Sequence, residues 1–434
     1  MQESFLHHIW SLQYFDKTKL LTTEGEIVSI FSPGTLNTHA GPDFSQARLR
    51  IGEMNWVGNV EIHIHSSGWT DHHHEDDPAY DSVILHVVWL DDKPVLRRDR
   101  TRLPTMELRG RIAETLVRNY RQLIGSSFSI PCRKHLPAMN PMIPVTMFSR
   151  SLAARLERKA EEVVAIWSAS ERSWEETTYQ VLAGAFGFKV NRDPFLQLAR
   201  AMPWRILQRH QELWQVEALL FGQAGFLEGT RGDAYYLRLR KEYQLLAHKY
   251  GMASQRLSKS QWLFLRLRPS NFPTLRIAQF AAVMNQRKAL FSFLQEAKTA
   301  ADLANFLSVP VSPYWNSHFR FNGPKSGRAH QLGQSSVEII LVNTVAPLLA
   351  AYARYADSPE DMDRAVHLLE HMPAEENGIT RRWTDLGLPP RNALEAQGQI
   401  ELFNTFCREK RCMQCAIGAA IIRPTEDDVD IASA

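Results

Sequence analysis

The chain has 434 residues, of which 44% are hydrophobic and 22% charged, and its 50 Lys and Arg against 47 Asp and Glu give a formal charge of +3. That length supports two or three domains with a core that needs no disulfide staples, and the balanced charge excludes a chain that coats nucleic acid. The distribution is uneven: residues 1–100 carry 8 basic and 15 acidic side chains, whereas residues 231–268 carry 9 basic and 2 acidic ones.

No run approaches eighteen apolar residues, which argues against a membrane-spanning helix. Met1-Gln2-Glu3 is acidic where an export signal is basic, so the expected location is cytoplasmic. Four Cys in a chain of this size suit reduced thiols or metal ligands better than a disulfide scaffold.

Glu3 to Tyr14 reads as an amphipathic helix, with Phe5, Leu6, Ile9 and Leu12 near helical spacing. Strands are expected over Glu26–Phe31, closed by Ser32-Pro33-Gly34, and over Ser45–Ile51, where Ala47, Leu49 and Ile51 alternate with polar residues. Gly52 to Asn55 turns the chain into Val60–His65, and Ser82–Leu90 supplies another β-rich run ended by Asp91-Asp92-Lys93-Pro94.

Alternation puts Glu61, His63 and His65 on one face of their strand and Val60, Ile62 and Ile64 on the other. A hairpin would bring Asp43, at the entrance of the preceding strand, beside Glu61. Two such carboxylates repel unless a proton or cation intervenes, and hard oxygen ligands suit Mg²⁺ or Mn²⁺. A solvated strand edge with a turn Asp would carry the same residues.

Between these strands lies Trp69-Thr70-Asp71-His72-His73-His74-Glu75-Asp76-Asp77-Pro78-Ala79-Tyr80. Three successive His cannot all face one way; His72 and His74 share a side, with Asp77 near enough to orient one of them. The spacing matches no compact zinc signature, so a surface loop is an equal reading. His86, out of phase with Leu85 and Val87, reads as a satisfied sheet histidine.

After Pro131 the prolines at 137, 141 and 144 punctuate a connector, and Ser149–Trp167 begins a region in which helical periodicity dominates. Arg238, Arg240, Lys241, Lys249, Arg266 and Arg268 interleave with Tyr235, Tyr236, Tyr243 and Trp262, which permits base stacking and phosphate contact. A helical core of Tyr and Trp under snorkelling basic residues is the plainer reading. Cys407-x4-Cys412-x2-Cys415 supplies three ligands of a metal site, and Cys132 is the natural fourth, for Zn²⁺ or an iron–sulfur cluster. Free thiols and a redox pair are the alternatives. Glu426 to Ala434, acidic and small, is expected to fray.

Gly41-Pro42-Asp43-Phe44, Trp56 to His63, Tyr80 to Val88 and the terminal Cys group together resemble an uncharacterised bacterial family, domain of unknown function 2851. The N-terminal part also resembles, remotely, the restriction-endonuclease-like nucleases. In those, a helix with an acidic residue precedes a three-stranded meander, an Asp opens the second strand, and Glu-x-Lys lies on the third. The matching positions are Glu3, Asp43 and Glu61-Ile62-His63, with His63 standing where that pattern has Lys.

This resemblance implies hydrolysis of DNA phosphodiester bonds. Asp43 and Glu61 would hold the cation, Glu3 would help through its water shell, and His63 would position or activate the attacking water. The expected fold class is α+β. A restriction-endonuclease-like α/β domain over 1–130 would precede a mainly helical domain over 131–330 and a helical domain over 331–425 ending in the cysteine cluster. Two other readings stand beside it: a non-catalytic nucleic-acid-binding or scaffolding protein using the basic helical middle, and a metalloenzyme with zinc at His72, His74 and His86.

Overall fold

The structure, a computed structural model, describes residues 1–286, 288–297, 299–326 and 331–423; the tail expected to fray lies outside them. It is a mixed α+β protein with a sheet near the N-terminus and helices through most of the rest. Contacts group it into two compact units, Met1–Met147 with Glu401–Ala434, and Phe148–Ile400. The terminal cysteines therefore belong with the sheet, whereas the sequence reading set them in a helical domain of their own.

Helix α1 (Glu3–Leu12) forms because Phe5, Leu6, Ile9 and Trp10 recur at helical spacing, and all four are fully buried. Glu3, His7 and His8 are left on its less buried side. Phe5 stacks on Tyr120 at 4.2 Å between centroids, and Trp10 Nε1 donates to the Pro33 carbonyl at 3.0 Å.

The strands are β1 (Val28–Ser32), β2 (Thr35–Leu36), β3 (Phe44–Ile51), β4 (Met54–His65), β5 (Val83–Leu90) and β6 (Thr105–Glu107). Their order is β1-β3-β4-β5-β6, with β2 paired to β3. The first pairs are antiparallel, and β4–β5 and β5–β6 are parallel. Gly52, at φ +59°, makes the β3–β4 turn. The parallel crossover from β4 to β5 runs through a short helix α2 (Gly68–Asp71) and the His-rich loop. Residues Val83–Val88 of β5 are all buried, as a parallel strand covered on both faces requires. Gly58 is obligatory in β4, because a Cβ there would sit 2.4 Å from Ile84 Cγ2.

Two features aim the site. The β3–β4 register slips between Phe44 and Ala47, where Gln46 takes a left-handed φ of 59°, so β3 is bulged at its start. Helix α1 packs against β4. Helix α3 (Glu114–Ile124) buries Leu116, Val117, Tyr120 and Leu123, and its Tyr120 supports Phe5.

In the second unit, one core runs from Leu152 to Ala393. The stretch Gln334–Ala356 is long and apolar enough to cross a membrane by composition alone, but 67% of its most apolar window is buried within the protein. It serves as a core helix here.

Truncating Phe5→Ala should loosen α1 from the sheet and destabilise the sheet-bearing unit by about 3–5 kcal/mol, read from urea unfolding; a loss below about 1 kcal/mol would refute this packing role. A second prediction concerns Glu217, fully buried in the helical unit, whose pKa burial pushes up to about 7 against hydrogen bonds from Tyr235 and Ser312. The folded state then keeps a proton that the unfolded chain releases near its ordinary value of 4.5, so stability falls as pH rises from there to about 7. Glu217→Gln should remove that fall, gaining about 3 kcal/mol on wild type between pH 4.5 and pH 8. An equal difference from wild type at both pH values would reject it.

Candidate metal centre

At the bulged start of β3, Asp43 and Glu61 are fastened to each other's backbone. The Asp43 amide donates to Glu61 Oε2 at 3.0 Å, and the Ile62 amide donates to Asp43 Oδ2 at 3.0 Å. His7 Nε2 from α1 lies 3.2 Å from Asp43 Oδ2, and His74 Nε2 lies 3.3 Å from Glu61 Oε1. The Glu61 side chain is 6% exposed and that of Asp43 23%, so the pair grades from interior to surface.

The pleat carries His63 to the same face as Glu61, and the parallel register Glu61↔His86 adds His86. His63 Nδ1 is 2.8 Å from His86 Nε2, and His63 Nε2 is 3.1 Å from His72 Nδ1 and 3.8 Å from Glu61 Oε1. Gly68 of α2 lets the chain close over this ring, since a Cβ there would meet His63 at 2.9 Å. His74 stacks on Tyr80 at 3.7 Å, with the Trp69 ring against its edge.

His73 has a left-handed φ of 59° and belongs instead to an exposed group with Glu75 and Asp76. Asp77 orients no histidine; it caps the Pro78–Tyr80 turn by accepting from the Ala79 amide. His65, expected on the Glu61 face, ends the strand half-exposed, 3.7 Å from Asp92.

Burial, helped by the charges of His74, His72 and His7, holds the His63 pKa down at about 3, and burial lowers His86 well below the usual imidazole value. Both are neutral near pH 7, the state in which imidazole binds a metal. Burial, then the neighbouring Asp43 charge, raises Glu61, against the bonds from His74 and the Asp43 amide. His7 goes the other way: burial would lower it, but the Asp43 hydrogen bond and the charges of Asp43, Glu3 and Glu61 hold it above its ordinary value. Glu3 is raised by burial and then by Asp43, which places it in the field of this pair one helical turn from His7.

Thus the fold gathers Glu3, Asp43, Glu61 and His63 on one side of the sheet. His63, His72 and His74 offer ligand atoms within 4.8 Å of one another. Glu61 Oε1 adjoins two of these histidines and completes a mixed nitrogen–oxygen donor set. Sequence reasoning missed His7; the signal was its i,i+4 spacing from Glu3, opposite the apolar face of α1.

The four cysteines are all buried and none forms a disulfide. Burial, then the other thiols, pushes Cys132 up to about 12, and burial with Cys415 pushes Cys412 up to about 11; Cys407 is raised by burial and by Cys132, Cys415 and Cys412. In the basic middle, Tyr236, Tyr243 and Trp262 are core residues, and Tyr235 is stacked on Tyr314. Those aromatics are occupied, so the stacking platform that a nucleic-acid groove would need is not formed by them.

A family described as "Protein of unknown function (DUF2851)" matches residues 3–378. The chain belongs to this family. The match takes in the whole carboxylate and histidine cluster and Cys132, whereas Cys407, Cys412 and Cys415 follow it. No curated protein matches the chain, and no solved structure does.

If the cluster binds a divalent cation, Mn²⁺ at about 100 times its Kd should raise unfolding free energy by about 2.7 kcal/mol. The shift should vanish in a Glu61→Gln, His74→Ala double variant. An equal shift in that variant, followed by calorimetric denaturation, would place binding elsewhere.

Proposed function

We propose that this DUF2851 protein is a metal-dependent nuclease that hydrolyses DNA phosphodiester bonds at the Asp43–Glu61 pair. The observation that carries this reading is the interlocked pair at the bulged end of β3, flanked by His7 and His63. An acidic helix before an antiparallel β1–β3–β4 meander, with Asp43 opening β3 and Glu61 within β4, supports a restriction-endonuclease-like arrangement of this unit.

The donors fit a cation: the two carboxylates suit Mg²⁺ or Mn²⁺, and the three imidazoles beside them suit a transition metal better than Mg²⁺. Asp43 and Glu61 would hold it, and Glu3 would act through the surrounding water. A bound cation of this kind lowers the pKa of its water and polarises a phosphoryl oxygen. His63, kept neutral by burial, would position the attacking water. The positive charge that a Lys supplies in the related pattern falls instead to His7, which is raised, partly exposed and paired with Asp43.

Purified protein should cut single-stranded or flapped DNA with Mn²⁺ or Mg²⁺. Asp43→Ala and Glu61→Ala should each reduce the rate at least about 100-fold, the scale of losing one preorganised electrostatic group, with unchanged circular dichroism. His7→Gln should give a smaller loss. Cutting at the wild-type rate by both alanine variants, or no metal-dependent cutting by wild type, would overturn the assignment.

A further inference from the structure

We propose that Cys132, Cys407, Cys412 and Cys415 hold a thiolate-bound metal centre, a zinc ion or an iron–sulfur cluster, that fastens the C-terminal return of the chain onto the sheet-bearing unit. This site is separate from the carboxylate pair. Cys132 lies in the short turn Pro131–Lys134, and the other three follow the whole of the second unit in sequence. The fold nevertheless returns all of them to one unit. The Pro131–Lys134 turn packs on α3, and so does the last helix, Ala416–Ile422, which Cys415 caps and which also packs on the Cys412–Gln414 turn. Lys410 Nζ donates to the Ile124 carbonyl at 2.7 Å and Asn119 Nδ2 to the Ile421 carbonyl at 3.1 Å, tying the return segment to the middle and the C-terminal end of that helix.

Each cysteine is 7–8% exposed, so four thiols share the interior of one unit without a disulfide. A core that needed only small apolar groups would not shape its backbone around them. Here Cys407 ends a π-helical turn, Phe403–Cys407, and Lys410 takes a left-handed φ of 52°. Such departures concentrate at functional sites. Gly418 permits the last helix to close on the turn, because a Cβ there would meet the Cys412 carbonyl at 2.1 Å. Arg408, Lys410 and Arg411 lie between the ligands and offset the charge of a thiolate-bound centre.

Two kinds of centre take four thiolates. One zinc, with bonds of about 2.3 Å, holds them about 3.8 Å apart, whereas an iron–sulfur cluster seats them on different irons and so farther apart.

Protein purified under nitrogen should contain either about one zinc per chain or iron and acid-labile sulfide in equal amounts, with broad visible absorption that dithionite bleaches. A Cys412→Ser, Cys415→Ser variant should lose that metal while keeping the wild-type circular dichroism. Should that variant not fold, wild-type apoprotein reloaded with the metal it lost should regain resistance to proteolysis of its C-terminal segment. Metal retained by the folded variant, or neither metal after anaerobic purification and reconstitution, would overturn the proposal.

Discussion

The sheet-bearing unit depends on one reciprocal contact: Asp43 and Glu61 each accept a backbone N–H from the other's strand segment. Two carboxylates at this separation repel, more strongly as water is removed. The fold meets that repulsion with two charge-assisted hydrogen bonds and two imidazoles, His7 and His74, one from each side. The contact also fixes the start of β3 against the middle of β4. The bulge at Gln46 releases the strand into ordinary pairing from Ala47 onward.

Behind that pair the histidines form a layer with its own logic. His63 lies between His86 and His72, within hydrogen-bond distance of one through each ring nitrogen, so the neutral ring donates at one nitrogen and accepts at the other. Burial alone already favours the neutral ring. The outer member, His7, is held above its ordinary value because it faces carboxylates that outweigh its burial. The cluster thus runs from neutral interior imidazoles to a more basic one at the rim, within one sheet face and one helix. Environment, not residue type, divides the two roles.

Much of this was legible in the sequence where contacts are local. Strict alternation along Val60–His65 gave the face shared by Glu61 and His63, and the short β3–β4 connection gave Asp43 its neighbour. The pattern of Tyr235, Tyr236, Tyr243 and Trp262 was correctly weighed toward core. What was not legible depends on distant packing. His7 reaches Asp43 only because four apolar residues of α1 dock that helix on β4, and helix periodicity does not say which strand receives it. Asp77 stood near the right histidines in sequence, but its carboxylate found a closer donor in the Ala79 amide. His65 had the right parity, yet the strand ends there and solvent takes the side chain.

The same limit explains the C-terminal segment. Spacing alone identified three cysteines that can meet one centre, but no local pattern tells a chain to leave a helical unit and return to the sheet from which it started. That return is a short helix and two turns, separated in sequence from the sheet by the full second unit. Loop-closure entropy grows slowly with length, so closure itself is not prohibitive. The segment's hold rests on the burial of Leu402, Phe403, Met413, Ile417, Ile421 and Ile422, with three cysteines among them. Hydrogen bonds from Lys410 and Asn119 help, though each offers only about 1 kcal/mol net. A bond through four buried sulfurs would hold it far more firmly, and it would do so at the edge of α3, whose Tyr120 supports Phe5 beneath the helix bearing Glu3 and His7.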